Sequence, residues 1–259
     1  MTPGLLPIKI IKTARDVSIF EVSNDLVMVV GCDSAGGIGP KPLDNVKVSG
    51  YTLGRFTARV ALMEVLVVGA LPICLTNTLG VEPDPTGFEI LEGIKSEVQL
   101  ARLDDSLVIT GSMERNVPVN QTGIGVTVVG LVSKSKLRIG LSKPGDLIVA
   151  VGIPSVKNEV LVAEEQRKIA DLEDLLKLMN CDFIHEVIPV GSEGVINEVD
   201  VLAHDSHLNV KLSEKTEVET QVSAGPATVI LVTISKDALD KLSEVLDKPI
   251  NVIGSFCQK

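Results

Sequence analysis

Residues 31–50, GCDSAGGIGPKPLDNVKVSG, place two carboxylates, Asp33 and Asp44, on either side of a glycine-rich loop. Such a loop can hold phosphate and metal together. Residues 26–30 (LVMVV) form an unbroken apolar run, the pattern of a fully buried strand, which predicts that Asp33 emerges at the strand's end. Gly36, Gly37 and Gly39 then permit a tight turn and bring backbone N–H groups close to a ligand. Lys41, stiffened between Pro40 and Pro42, sets a positive charge between the two acids, where it can neutralise phosphate. The bland alternative is a surface hairpin loop with solvated acids and an exposed lysine.

Further acids stand at loop starts or inside elements: Glu64, Glu82, Asp84 and Glu114. Hard oxygen ligands of this kind suit magnesium, which keeps several waters and is shared between one or two carboxylates and a substrate's phosphates. Glu64 interrupts an otherwise apolar helical stretch, so it is either paired, with Arg55 or Arg59, or functional. Asp84 followed by Pro85 reads as an N-cap with a first-turn proline. Gly191-Ser192-Glu193-Gly194 follows a strand pattern and opens a helix, where backbone N–H groups can receive an anion. His185 reads as a structural histidine, and His204-Asp205-Ser206-His207 as a polar turn. No G-x-x-x-x-G-K-[ST], G-x-G-x-x-G, kinase or G-x-S-x-G motif is present, so a phosphate binder here is of another type and covalent hydrolysis has little support.

The elements that must position these residues follow from periodicity. Residues 52–68 carry Leu53, Phe56, Val60, Met63 and Val67 on one helical stripe that Gly69 and Pro72 stop. A strand over 71–75, a helix through Leu103 and strands over 107–110 and 125–132 come next; the polar separator 111–124 reads as an active-site loop. Lys, Ser, Gly and Pro over 133–146 mark a boundary between domains 1–137 and 138–259. Beyond it the pattern gives strands at 147–151, 183–189, 208–212, 228–234 and 250–253, with helices over 158–179, 193–203 and 235–246. The fold class is α+β, two sandwiches of sheet and helix facing each other.

Composition narrows the function classes. A net charge of −10 without a basic run excludes nucleic acid and anionic membrane as main partners. Four scattered cysteines without a CxxC pair fit a reducing cytoplasm, and an N-terminus broken by Pro3, Gly4 and Pro7 does not read as a signal peptide, so a cytoplasmic protein is expected. No apolar run reaches membrane-spanning length. With no Trp and one Tyr, a nucleotide base would have to sit in an aliphatic slot.

The order of the segments resembles the superfamily of aminoimidazole ribonucleotide (AIR) synthetase, thiamine-monophosphate kinase, selenophosphate synthetase and the hydrogenase-maturation ATPase. The glycine loop after Asp33 comes first, then ALMEVLVVGALPI, ITGSMER at the family's Gly-Gly-Asp-Thr turn, GVTVVGLV, PGDLIVAVG, HEVIPVGSEGVINEVDVLAHDS, and finally SAGPATVILVT and NVIGSF. DSAGGIGPKPLDNVKV is most similar to the short α-ribazole kinase branch of cobalamin assembly. The resemblance implies an AIR-synthase-like pair of α+β domains, each a mixed sheet covered by helices, in a homodimer whose N-terminal strands pair across the interface. It implies ATP and Mg2+ as cofactors, with Asp33, Asp44 and Glu114 as metal and phosphate residues. Gly36, Gly37, Gly39, Lys41, Gly191 and Ser192 would cradle phosphate, and Asp33, Glu114 and Glu193 are the catalytic candidates. Glu114 stands where the family has the aspartate of its Gly-Gly-Asp-Thr turn, and Glu193 with a single following glycine replaces the family's doubled glycine; both departures keep oxygen ligands. The implied activity is phosphorylation of a nucleoside-like small molecule, α-ribazole above all; another ATP-dependent member of the superfamily and a non-catalytic dimeric nucleotide-binding module are the alternatives.

Overall fold

The computed structural model describes residues 9–259, with side chains from Arg15 onward; residues 1–8, which include the proline-broken start, lie outside the described residues. In chain order the elements are β1 (Lys9–Ala14), β2 (Val17–Glu21), β3 (Leu26–Gly36), β4 (Ile38–Gly39), β5 (Val46–Lys47), α1 (Gly50–Val67), β6 (Leu71–Leu79), α2 (Phe88–Leu100), β7 (Val108–Met113) and β8 (Gly123–Ser133). Then follow β9 (Leu147–Val151), α3 (Glu159–Glu165), α4 (Leu172–Met179), β10 (Ile184–Pro189), α5 (Val195–Ser206), β11 (Leu208–Leu212), β12 (Ile230–Ile234), α6 (Leu239–Val245) and β13 (Ile250–Gln258).

The first eight strands supply a six-stranded sheet ordered β1-β2-β3-β8-β6-β7, with only β6 and β7 parallel, and a two-stranded parallel ladder of β4 and β5. The last five make a sheet ordered β10-β12-β9-β13-β11, antiparallel throughout. Residues 9–21, whose alternation is masked by charged residues, form the two strands that periodicity did not single out. Asp33 does not end its strand: β3 runs on because β8 stays paired opposite it as far as Gly36 and Gly123. The expected 158–179 helix is two helices, since Arg167 adopts φ 57° and Asp171 starts α4 with a capping box to Asp174. Asp84 is not an N-cap; it sits with extended φ and ψ inside a turn over Pro83–Gly87, the conformation a following proline favours, and α2 starts at Phe88.

Helix α1 is the centre of the molecule. It lies across β3 and β8 on one side and meets β10 of the other sheet on its second side, so most of its residues are buried. This double burial explains its small and apolar composition. Helices α1 and α2 approach until backbones touch: a Cβ on Gly54 would lie 2.1 Å from the Ile90 carbonyl oxygen, and one on Gly93 2.0 Å from that of Tyr51. Only glycine fits at either position.

Buried charge ties the halves together. Arg59 Nη2 donates to Glu97 Oε1 at 2.9 Å and to Glu164 Oε1 at 3.0 Å, joining α1, α2 and α3, while Arg55 reaches both acids from the next turn. Arg15, between β1 and β2, donates to Glu186, to Asp205 Oδ2 at 3.2 Å and to the Val187 carbonyl at 3.0 Å. Glu186, fully buried, also accepts from the N–H groups of Gly140, Leu141 and Ser142, which fixes the connecting segment. Gly54→Ala should therefore lower unfolding free energy by about 2–3 kcal/mol, read as a shifted urea midpoint with unchanged slope. An unshifted midpoint would show that the helices separate freely.

Candidate functional site

A cavity of about 960 Å³ opens between the two sheets. Its walls are largely apolar, with Phe56, Val60 and Leu53 from α1, Val46 and Val48 beyond the glycine loop, and Val160 with Leu161 from α3. One end is acidic. On β3 the residues that face α1 alternate as Val27, Val29, Gly31 and Asp33, and β2 pairs Val17 with Gly31, which brings the preceding Asp16 alongside. Glu64 of α1 sits over Gly31, where an added Cβ would lie 3.2 Å from its own. Asp16, Asp33 and Glu64 line the cavity with Gly36, and the second half contributes Gly191 and Ser192.

The structure thus gathers Asp33, Gly36, Gly191 and Ser192, and leaves the other expected site residues elsewhere. Asp44 is buried and engaged: Oδ1 accepts from Thr122 N at 2.7 Å, and Oδ2 from Thr122 Oγ1 at 2.7 Å and Lys41 N at 2.8 Å. Gly37 (φ 70°) and Gly39 (φ 144°) supply the left-handed turns that bring the loop onto Gln121, Thr122 and Asp44. Lys41 pairs with Glu82. Glu114 is partly buried outside the cavity, and its Oε1 accepts from Asn116 N at 2.6 Å and Val117 N at 3.1 Å. Glu193 is exposed outside the cavity, two residues before α5 begins. Among the described residues no group of three or more His, Cys, Asp or Glu side chains is already arranged to hold a metal ion, so Asp33, Asp44 and Glu114 do not form one set.

Periodicity did not single out Asp16 or Glu198, and left Glu64 between two readings. Glu64 does not pair with Arg55 or Arg59, which are bound to Glu97 and Glu164. Glu198, on the face of α5 that buries Val195, Val199 and Leu202, accepts from Asn197 Nδ2 at 3.2 Å and from the Gly191 N–H. The sequence signal for both is the same, an acid set into an apolar helical stripe. Asp16 carries a weaker one, its place directly before the alternation of Val17 and Ile19.

These acids feel one another. Burial pushes Asp33 up to about 6, against a hydrogen bond from the Ser34 N–H and with Asp16 adding to the rise. Burial holds Glu64 well above the ordinary range, with Asp16, Glu198 and Asp33 adding to it and Arg15 opposing. Burial pushes Glu198 up to about 7, despite the Asn197 hydrogen bond. Arg15, the nearest cation, is committed to Glu186 and Asp205. On the cavity wall Asp33 and Glu64 are desolvated, and since no three of these acids are arranged as a metal site, a divalent cation there would take most of its oxygens from a ligand and water.

Residues 14–132 match the family of AIR synthase related proteins, N-terminal domain. Thiamine-monophosphate kinase from Stenotrophomonas maltophilia superimposes at 17% identity and a TM-score of 0.64, over 95% of this chain and 87% of that one. The fold is AIR-synthase-like. Escherichia coli HypE, a hydrogenase maturation protein, shares it at 14% identity and TM-score 0.62, over 89% and 80% of the two chains. Thermotoga maritima PurL complexed with ATP shares it at 15% identity and TM-score 0.63, over 96% of this chain and 44% of that one. At these identities the likeness is one of fold. No curated protein matches the chain significantly.

Within the AIR-synthase-like fold the raised acids make stability depend on pH in a definite sense. Asp33 and Asp174 at about 6 and Glu198 at about 7 hold protons in the folded chain that the unfolded chain has released, so stability falls as pH rises from about 4.5 to 7. Acids with lowered values, such as Glu164 and Asp171, act in the opposite sense and only below that window. The thermal midpoint without metal should be lower at pH 7.5 than at pH 5, and added Mg2+ should raise it more at pH 7.5. Glu198→Gln should flatten the dependence. A midpoint that climbs between pH 5 and 7.5 would contradict this assignment.

Proposed function

We propose that this protein is a Mg-ATP-dependent small-molecule kinase, with α-ribazole as its acceptor and α-ribazole phosphate as its product. The observation that carries the reading is the cavity between the sheets, where Asp16, Asp33 and Glu64 meet Gly36, Gly191 and Ser192 at one end of an apolar chamber. The fold is shared with AaThiL complexed with AMPPCP and TMP, at 15% identity and TM-score 0.62, and with PurL complexed with ATP. The chamber's aliphatic walls suit a nucleoside base in a chain without tryptophan.

In this reading Asp33 and Glu64, with Asp16 beside them, would hold magnesium at the acidic end, its remaining oxygens coming from phosphate and water. The ion, when bound, neutralises charge on the transferring phosphoryl group and orients it for in-line attack. Phosphoryl transfer asks little covalent chemistry of the protein, so the chain's work is positioning. Of the three catalytic candidates Asp33 alone lines the cavity, and Glu114 and Glu193 lie outside it. Asp44 and Lys41 act one step back, by fixing the loop from which Ile38, Val46 and Val48 wall the chamber.

A homodimer completes the proposal. Leu71, Ile73 and Val108 are exposed on β6 and β7, apolar side chains that a second copy would cover. Cobalamin assembly is the setting that the resemblance implies, and the four scattered cysteines suit a reducing cytoplasm.

Phosphorus NMR of the protein with Mg-ATP, screened against ribosides, thiamine monophosphate and aminoimidazole precursors, should show ADP formed with α-ribazole. Turnover with a different acceptor would make the protein another ATP-dependent member of its fold, and no heat on titration with ATP, with or without Mg2+, would leave no enzyme reading. Asp33→Asn and Glu64→Gln should each slow turnover about 100-fold or more, roughly 2.7 kcal/mol of barrier. Activity kept within about tenfold in both would remove the metal assignment.

A further inference from the structure

A second concavity, of about 460 Å³, lies away from the chamber, where the segment joining the two sheets passes over the end of α4 and the start of β10. In a chain of net charge −10, its rim carries three cations, Lys136, Arg138 and Lys143, against one carboxylate, Asp182. None of the three cations forms an ion pair among the described residues. The guanidinium of Arg138 spends its Nη atoms on carbonyl oxygens, Ile184 at 3.1 Å and Met179 at 3.5 Å, while its Nε is buried with no hydrogen-bond partner. Burial pulls the Arg138 guanidinium below its ordinary range, and the Glu186 carboxylate offsets this only in part.

Lys143 and His185 complete the rim. Lys143 Nζ stands 3.3 Å from His185 Nε2, and His185 Nδ1 is 2.7 Å from Asp146 Oδ2. An ammonium beside Nε2 makes that nitrogen the acceptor, so the proton sits on Nδ1 and is donated to the buried Asp146. Asp146 also accepts from Lys143 N at 2.7 Å, which pins the turn carrying the lysine. The lysine's remaining N–H donors therefore have a fixed origin at the concavity's edge.

We propose that this concavity binds a compact oxyanion, phosphate or a phosphomonoester group. The Lys143 ammonium, Lys136 and the Arg138 guanidinium bring three positive charges from one continuous segment to a rim with one carboxylate, Asp182, and an oxyanion held by the two lysines would offset that excess. The site is separate from the acidic end of the chamber, whose unpaired groups have the opposite sign.

Titration calorimetry of the full chain with inorganic phosphate at constant ionic strength tests it, with glycerol phosphate as a second probe. Phosphate should bind with a dissociation constant of about 1 mM or below, and Lys143→Gln and Lys136→Gln, both surface changes, should together weaken it about tenfold or more. Asp33→Asn should leave the affinity unchanged. Glycerol phosphate binding as well as phosphate would assign a phosphomonoester ligand, and its rejection would assign free phosphate. The proposal is overturned by no heat up to about 10 mM phosphate, by affinity unchanged in the lysine variant, or by its loss in Asp33→Asn.

Discussion

Helix α1 has no solvent side to speak of, and the molecule is arranged around that constraint. One sheet covers it from below and the edge of the other from above, so nearly every position must be small, apolar or paired. Its polar residues divide cleanly under this rule. Arg55 and Arg59 find carboxylates on α2 and α3, Thr57 bonds back to Leu53, and Glu64 faces the chamber without a partner among the described residues. The same burial that orders the helix makes its one unpaired acid chemically distinctive.

The two sheets share one continuous apolar core, running from Val17 and Val29 to Val149, Val187 and Val232, and buried charge adds a directional tie to it. Arg15 reaches from the first sheet to Glu186 and Asp205 of the second, and Glu186 gathers the N–H groups of the connecting segment around it. Replacing such a cluster by hydrophobic groups can preserve stability, but removing one partner strands a buried charge. Its geometric strictness matters here, because Asp16 follows Arg15 directly and Ser206 of α5 also bonds to Glu186. Asp16 of one half and the end of α5 in the other are therefore set by a single network.

Much of this was written in local pattern. The stripe from Leu53 to Val67, the apolar run before Asp33 and the strand at residues 147–151 were legible because burial on a regular element imposes a period. The site was legible only in part. Asp33 stands out by its neighbours, but Asp16 and Glu198 enter through pairings across 15 or more residues that no local period encodes. Gly37, Gly39, Lys41 and Asp44 belong to a loop whose composition points to a ligand; the structure turns them toward one another and Thr122. Composition identified a tight loop without revealing which side its donors would face.

The placement of charge has a consequence for any polyphosphate. A ligand of that kind entering the chamber meets Asp16, Asp33 and Glu64, with Arg15 already bound to two acids and Lys41 to Glu82. Among the described residues Lys157 is the one lysine on the chamber wall, set against three carboxylates, and the net charge of −10 repels at longer range. Attraction must therefore come through a cation shared between the carboxylates and the phosphates, which makes affinity conditional on that cation and silent without it. The apolar walls contribute regardless, since burying a base needs no charge. Two energetically separate ends of one cavity follow, the apolar end selecting shape and the acidic end admitting phosphate only in company with metal.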